Sequence, residues 1–171
     1  MRFREITAPG DDYAYVERLM RESFPPDERR SAESQRRLLG RGAFHCMLIE
    51  HEGAPVGFVN WWALPGFKHC EHLAIEPQAR GQGLGSWAVR RLLAKGPLLL
   101  EVERPENDLA RSRIRFYERA GLRQWRDVPY IQPSYGEGLA PVPMLLMANF
   151  PPDQAEELVA ILKKRVYECD G

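Results

Sequence analysis

The sequence predicts an α/β fold built on a central sheet of mixed direction. Two observations carry this: short β-favouring runs dominate the first half of the 171-residue chain, and a strand, helix, strand, helix, strand alternation fills the second. Residues 3–6 read as a first strand. A helix follows over about 12–23, where Tyr15, Val16, Leu19 and Met20 recur at helical spacing until Pro25-Pro26 ends it. Ser31 can cap a second, short helix closed by Gly40 and Gly42. The charged stretch 26–37 reads as a solvated helical face or a mobile loop. Residues 43–50 and 55–62 form a hairpin across His51-Glu52-Gly53-Ala54, and Leu64-Pro65-Gly66 turns into a third run, 69–75.

A helix over 84–94 carries Leu84, Ala88, Val89, Leu92 and Leu93 on one stripe and stops at Gly96-Pro97, after which 97–103 is a buried strand. Asn107 or Asp108 caps a helix running to Ala120, with Leu109, Ala110, Ile114 and Tyr117 along one side. Residues 122–127 and 143–150 read as closing strands joined by a loop, and Asp153 caps a last amphipathic helix bearing Leu158, Val159, Ile161 and Leu162. The length suits one domain, 1–171, with 151–171 as a C-terminal helical addition that either covers the core or forms a homodimer interface.

Lysine plus arginine number 24 and aspartate plus glutamate 24, so no overall field favours nucleic acid or an anionic membrane surface as partner. No apolar run approaches the roughly 20 residues that span a bilayer. The first residues lack an apolar core followed by a small-residue cleavage site, and a cytoplasmic protein is expected. Cys46, Cys70 and Cys169 are odd in number and in no metal-ligand spacing, so they read as reduced thiols and no metal site is expected. Cys70 lies near the glycine-rich segment, but with no activating His/Asn arrangement in view it reads as a small hydrophobe in a strand.

That segment is the most informative part of the chain. A strand over 71–75 passes through Glu76-Pro77-Gln78-Ala79 into Arg80-Gly81-Gln82-Gly83-Leu84-Gly85-Ser86 and a helix. Glycines at alternate positions remove Cβ atoms where backbone N–H groups approach a ligand, and the helix leaves its first N–H groups unpaired with its positive dipole end exposed. A pyrophosphate fits there, with Arg80 adding charge and Ser86 a hydroxyl. A Walker A loop would need GxxxxGK[ST] and a Rossmann fingerprint GxGxxG, and neither matches, which argues against an unrelated nucleotide-binding protein.

The run Leu73-Ala74-Ile75-x-Pro77-x-x-Arg80-Gly81-x-Gly83-x-Gly85 resembles the acetyl-CoA-binding motif of the GNAT (general control non-repressible-type) N-acetyltransferases. Phe116-Tyr117-Glu118-Arg119-Ala120-Gly121-Leu122 resembles their second motif. The resemblance spans about 71–122, the cofactor core, and implies a splayed central sheet flanked by helices with acetyl-CoA as cofactor. It implies that the backbone of Leu73, Ala74 and Ile75 pairs with the pantetheine arm, and that N–H groups from Gly81 through Gln82, Gly83, Leu84 and Gly85 to Ser86 hold the pyrophosphate. One departure stands out: the family commonly has Asn seven residues before the helix tyrosine, where this chain has Ala110. Asn107 lies ten before, and Arg111, Arg113 or Arg115 are candidates to reach a phosphate instead.

The implied reaction moves an acetyl group to a primary amine of a small molecule or peptide by direct attack. It needs a neutral nucleophile, stabilisation of the developing oxyanion and a proton for the departing thiolate. A backbone N–H near Leu73 can supply the oxyanion contact. Tyr117 resembles the family's general acid and is expected to be the proton donor, since a phenol stays protonated at neutral pH. Glu71 is the leading candidate for the base: it shares strand parity with Leu73 and Ile75, and burial is expected to raise its pKa toward usefulness. Glu101 and Glu103 share one face of the neighbouring strand and are expected to converge on the same cleft, favouring a cationic acceptor. Tyr130 and Tyr135, with Trp61, Trp62 and Gln132, are candidate acceptor walls, and His69 and His72 weaker candidates for the base. A non-catalytic acyl-CoA-binding or sensing module remains the alternative function, because it would keep the glycine turn without needing Tyr117 or Glu71.

Overall fold

β-Branched and aromatic residues spaced for burial on one or both faces build a sheet whose two halves part beside the glycine turn. A computed structural model describes residues 1–168; Cys169 lies outside the described residues. The strands are β1 Arg2–Glu5, β2 Phe44–His51, β3 Ala54–Leu64, β4 Phe67–Ile75, β5 Leu98–Glu103, β6 Arg123–Gln124, β7 Tyr130–Gln132 and β8 Val142–Ala148. The helices are α1 Asp11–Ser23, α2 Ala32–Leu38, α3 Leu84–Leu93, α4 Asp108–Arg119 and α5 Ala155–Leu162. The sheet order is β1-β2-β3-β4-β5-β8-β6, with β7 also paired to β8.

β1 to β4 form an antiparallel meander, and β5, β8, β6 and β7 pair antiparallel in the second half. A parallel ladder of three residues joins the halves: Lys68 with Leu98, His69 with Leu99, and Cys70 with Leu100. Beyond Cys70 the strands diverge, so alternate residues of β4 turn backbone N–H and C=O groups to a gap instead of to β5. A bulge marks the point of divergence. Asn60 pairs with His72 and Trp61 with Cys70, which leaves Glu71 as the extra residue on β4. The two neighbouring strands also approach closely at Gly57, where a Cβ would stand 2.4 Å from the Ala74 carbonyl oxygen.

Each face of the sheet carries its own core. On one, α1, α2 and α5 bury Val16, Leu19, Met20, Leu38 and Leu162 against Leu48, Phe58, Leu99 and Leu146. On the other, Val89 and Leu92 of α3 and Ile114 and Tyr117 of α4 pack on Val59, Leu98, Leu100 and Met147. The C-terminal segment covers the core: α5 runs on into a wider π turn, Lys163–Tyr167, and Leu162 and Val166 are fully buried.

Ser31 and Asn107 cap α2 and α4, accepting from the N–H groups of Ser34 at 3.1 Å and Ala110 at 2.8 Å. Asp153 does not cap α5, whose N-cap is Gln154 without a side-chain bond. The loop expected between the closing strands contains β7, which pairs Tyr130 with Met144 and Gln132 with Val142. The first closing strand shrinks to β6. Among the described residues no helix is long and apolar enough to cross a membrane.

Candidate active site

The glycine turn opens a groove of about 740 Å³ running from β4 to the face of α4. Leu73, Ala74 and Ile75 line it, followed by Arg80, Gly81, Gly83, Leu84, Gly85 and Ser86, with Ser112, Phe116, Tyr117 and Arg119 opposite; Gln82 lies within the turn without lining the groove. The glycines serve two different needs. Gly81 and Gly83 have φ of 79° and 76°, a left-handed conformation costing other residues roughly 1–2 kcal/mol, and a Cβ at either would project into open space. Gly85 instead leaves the start of α3 bare beside α4, where a Cβ would meet the Phe116 ring at 3.4 Å, an ordinary van der Waals contact. Gly83 is the N-cap of α3 and offers no side chain to the first N–H groups, which leaves these donors facing the groove. The residues present therefore fit a pyrophosphate.

The groove meets a second, smaller cavity of about 50 Å³ at Phe24, Leu73, Arg113 and Tyr117. Its lining holds four carboxylates: Glu28, Glu71, Glu101 and Glu103. Glu71 is fully engaged. The fully buried Arg30 donates to its Oε1 from Nη1, Tyr135 Oη donates to the same oxygen at 2.8 Å, and Trp62 Nε1 donates to Oε2 at 2.8 Å. The Arg30 guanidinium also stands 5.3 Å from the Trp62 ring and 4.9 Å from the Tyr135 ring, and donates to the Val166 carbonyl. Burial alone would push the Glu71 carboxyl up, but the Arg30 charge and the Trp62 hydrogen bond outweigh it and hold the group down at about 2. The expectation that burial raises Glu71 into a base's range is thus corrected: its desolvation is over-compensated by a buried cation.

Glu101 accepts from Tyr130 and, at 2.6 Å, from Tyr167 of the π turn, and burial pushes it up to about 7. Glu103 pairs with Arg113 at 2.9 Å. Tyr135 lines the cavity while donating to Glu71; Tyr130, 2 % exposed, lies outside the lining and underpins Glu101. The two tyrosines therefore brace carboxylates more than they form open walls. Trp62 does the same, and Trp61 stacks on His45 with ring centroids 4.1 Å apart, away from the cavity. Gln132 lines the cavity and donates to the Asp27 carbonyl. Burial pushes His69 down to about 4 and His72 in the same direction, so both imidazoles are neutral near pH 7. Burial pushes the Cys70 thiol up to about 12, which removes it as a nucleophile.

A family model described as the GNAT family of acetyltransferases matches residues 13–122. The chain belongs to the GNAT acetyltransferase family. A solved structure from Bacteroides thetaiotaomicron, described as a candidate acetyltransferase of that family, is 37% identical, covers 98% of each chain and superposes with a TM-score of 0.89. YjbC of Bacillus subtilis strain 168, a candidate acetyltransferase by its name, is 30% identical over 105 residues, 60% of this chain; the chain spans about half, 54%, of that relative's length. A GNAT acetyltransferase from Elizabethkingia anophelis solved with acetyl-CoA bound shares the fold, with a TM-score of 0.58 at 13% identity over 86% of this chain and 95% of its own.

In this GNAT chain the cofactor residues read from the sequence fall on one groove, apart from Gln82. Of the arginines considered as phosphate ligands, Arg113 reaches both cavities, whereas Arg111 pairs with Asp108 at 2.7 Å; Arg119, at the end of α4, lines the groove and was not singled out. Sequence reasoning also missed Glu28, Arg30 and Tyr167, all of which contact or line the carboxylate cavity. Replacing Gly83 with valine is expected to weaken acetyl-CoA binding at least about tenfold by calorimetry, because it strains the turn and fills the groove with a branched side chain. An unchanged Kd would remove the turn from the binding site.

Proposed function

We propose that the chain is an N-acetyltransferase that moves an acetyl group from acetyl-CoA to a primary amine of a small molecule or peptide, by direct attack with both substrates bound. The observation that carries this reading is the meeting of two cavities at Leu73 and Tyr117: a groove fitted to pyrophosphate and pantetheine, and a narrow chamber ringed by carboxylates. Acetyl-CoA supplies an activated thioester. Backbone N–H groups of β4 that face the gap left by β5 hold the acyl oxygen as it gains charge. Tyr117, 8 % exposed, keeps its proton because burial raises its pKa, and it lines the junction of the two cavities, which suits it to protonate the leaving sulfur. The acidic chamber draws a cationic amine toward that point.

Glu71 takes a supporting part in this reading: its carboxylate fixes Arg30, Trp62 and Tyr135 around the chamber. We read the chain as one domain, since the C-terminal segment supplies Val166 to the core and Tyr167 to Glu101. The free thiols Cys46 and Cys70 suit a cytoplasmic setting.

The test follows thiol release from acetyl-CoA with a panel of primary amines, beside thermal shifts with acetyl-CoA, CoA and ATP. At least one cationic amine should accelerate release, and CoA but not ATP should raise the melting temperature. Stabilisation by CoA with no amine accelerating release would instead make the chain an acyl-CoA-binding module.

A further inference from the structure

Three of the four carboxylates around the chamber are committed to partners: Glu71 to Arg30, Trp62 and Tyr135, Glu101 to Tyr130 and Tyr167, and Glu103 to Arg113. Glu28 differs. Among the described residues its carboxylate has no hydrogen bond or ion pair, although its backbone is held firmly. It ends a short 3₁₀ turn, Pro26–Glu28, that begins within the Pro25-Pro26 stop, and its carbonyl pairs with His72 Nε2 at 2.8 Å. The preceding Asp27 is fixed on both sides, its carbonyl accepting from Gln132 Nε2 and its carboxylate from the Ala140 N–H, each at 2.9 Å. A rigid backbone thus presents an uncommitted, half-buried carboxylate to the same small cavity as Tyr117 and Leu73.

We propose that Glu28 is the carboxylate that docks the acceptor's ammonium group and takes its proton as the amine attacks. The inference rests on the acetyltransferase reading above. In this step one N–H bond of the ammonium breaks and an O–H bond forms on Glu28, which frees the nitrogen lone pair. The new C–N bond replaces the C–S bond, and sulfur departs with the proton that Tyr117 holds for it; the second N–H proton, shed as the nitrogen becomes an amide, restores the Tyr117 phenol by way of water, and Glu28 returns its proton to water on its exposed side. The surroundings favour that task. Burial first, then the charges of Glu103 on β5 and of Asp27, push the Glu28 carboxyl up, with Arg113 of α4 opposing, and it settles at about 7. His72 and Glu71 from β4, Glu101 from β5, and Tyr117, Gln132 and Tyr135 complete the wall, and the histidine is held neutral by burial. A base titrating near the working pH combines availability with driving force. A cavity of about 50 Å³ admits the end of a slim, unbranched aminoalkyl group and turns away a ring beside the nitrogen.

The experiment compares wild type, Glu28→Gln and Glu28→Asp with the best amine from the panel, reading kcat/KM against pH and acetyl-CoA affinity by calorimetry. Glu28→Gln should lower kcat/KM for the amine about 100-fold or more and abolish the limb that rises through pH about 7 in the wild type. Acetyl-CoA affinity should stay within about twofold, and Glu28→Asp should keep the limb with part of the rate. A wild-type rate and limb retained in Glu28→Gln would overturn this inference alone. A wild type that binds acetyl-CoA but turns over no amine would overturn the acetyltransferase reading, and this one with it.

Discussion

Replacing Arg30 with methionine is expected to cost about 3–5 kcal/mol of folding stability, read as a drop in melting temperature of roughly 6–20 °C for a chain of this size. The side chains of Arg30 and Glu71 are 1% and 0% exposed, so removing the cation strands a carboxylate with no water to solvate it. Glu71→Gln combined with Arg30→Met should recover a substantial part of the loss, because the stranded charge is then gone. A loss below about 1 kcal/mol in Arg30→Met would show that the pair does little for the fold.

The same pair sets an acid limb. The folded carboxyl of Glu71 titrates at about 2 against an ordinary value of 4.5, so its stabilisation is fully present above pH 4.5 and is lost as pH falls toward 2. Glu101 has the opposite sign. Raised to about 7, it stabilises the fold below pH 4.5 and loses that contribution as pH rises through 7. The two windows do not overlap, but Asp12, held down by Arg4, and Glu50, held down by Arg2 and Arg4, share the acid one. The part of the fall in urea midpoint between pH 4.5 and 2 that disappears in Arg30→Met is the part that belongs to Glu71.

The features that were legible in the sequence are those written locally. Gly81 and Gly83 encode a backbone conformation in their own φ angles, and the order strand, turn, helix tells what that conformation presents. Ser31 and Asn107 announce helix starts through bonds only three residues long. The misreadings involve partners far apart in the chain. Glu71 resembles a buried base until Arg30, 41 positions earlier, is placed against it. Arg30 itself sits in the stretch 26–37, whose charge density reads as solvation although the fold turns Arg30 inward and Glu28 into the chamber. The one available signal was Pro25-Pro26, which forces the chain to turn straight after α1. Tyr167 escaped notice for the same reason, since its bond to Glu101 spans 66 positions. β7 was missed because Pro129 and Pro133 confine it to three residues, too few for alternation to register.

Tyr117→Phe carries the largest expected effect on turnover. The ring packs in the core of α3, α4 and β5 beside Cys70 and Val102, so removing the hydroxyl alone should leave that packing intact and shift the melting temperature by no more than about 2 °C. The hydroxyl is another matter. The leaving thiolate needs a proton, and Tyr117 is the phenol that borders both the groove and the carboxylate chamber. Its raised pKa means it does not ionise on its own near neutral pH, and in the proposed mechanism it gives up its proton as negative charge builds on the sulfur. Loss of the hydroxyl should therefore lower kcat by about 100- to 1,000-fold with the KM for acetyl-CoA nearly unchanged, because in the proposed complex ground-state binding uses the backbone of the glycine turn and β4. An activated thioester whose thiol leaves at low pKa should be rescued in Tyr117→Phe much more than in wild type. Equal sensitivity of both enzymes to the leaving thiol, or a kcat within about threefold of wild type, would remove Tyr117 from the proton-donor role and leave that proton to solvent.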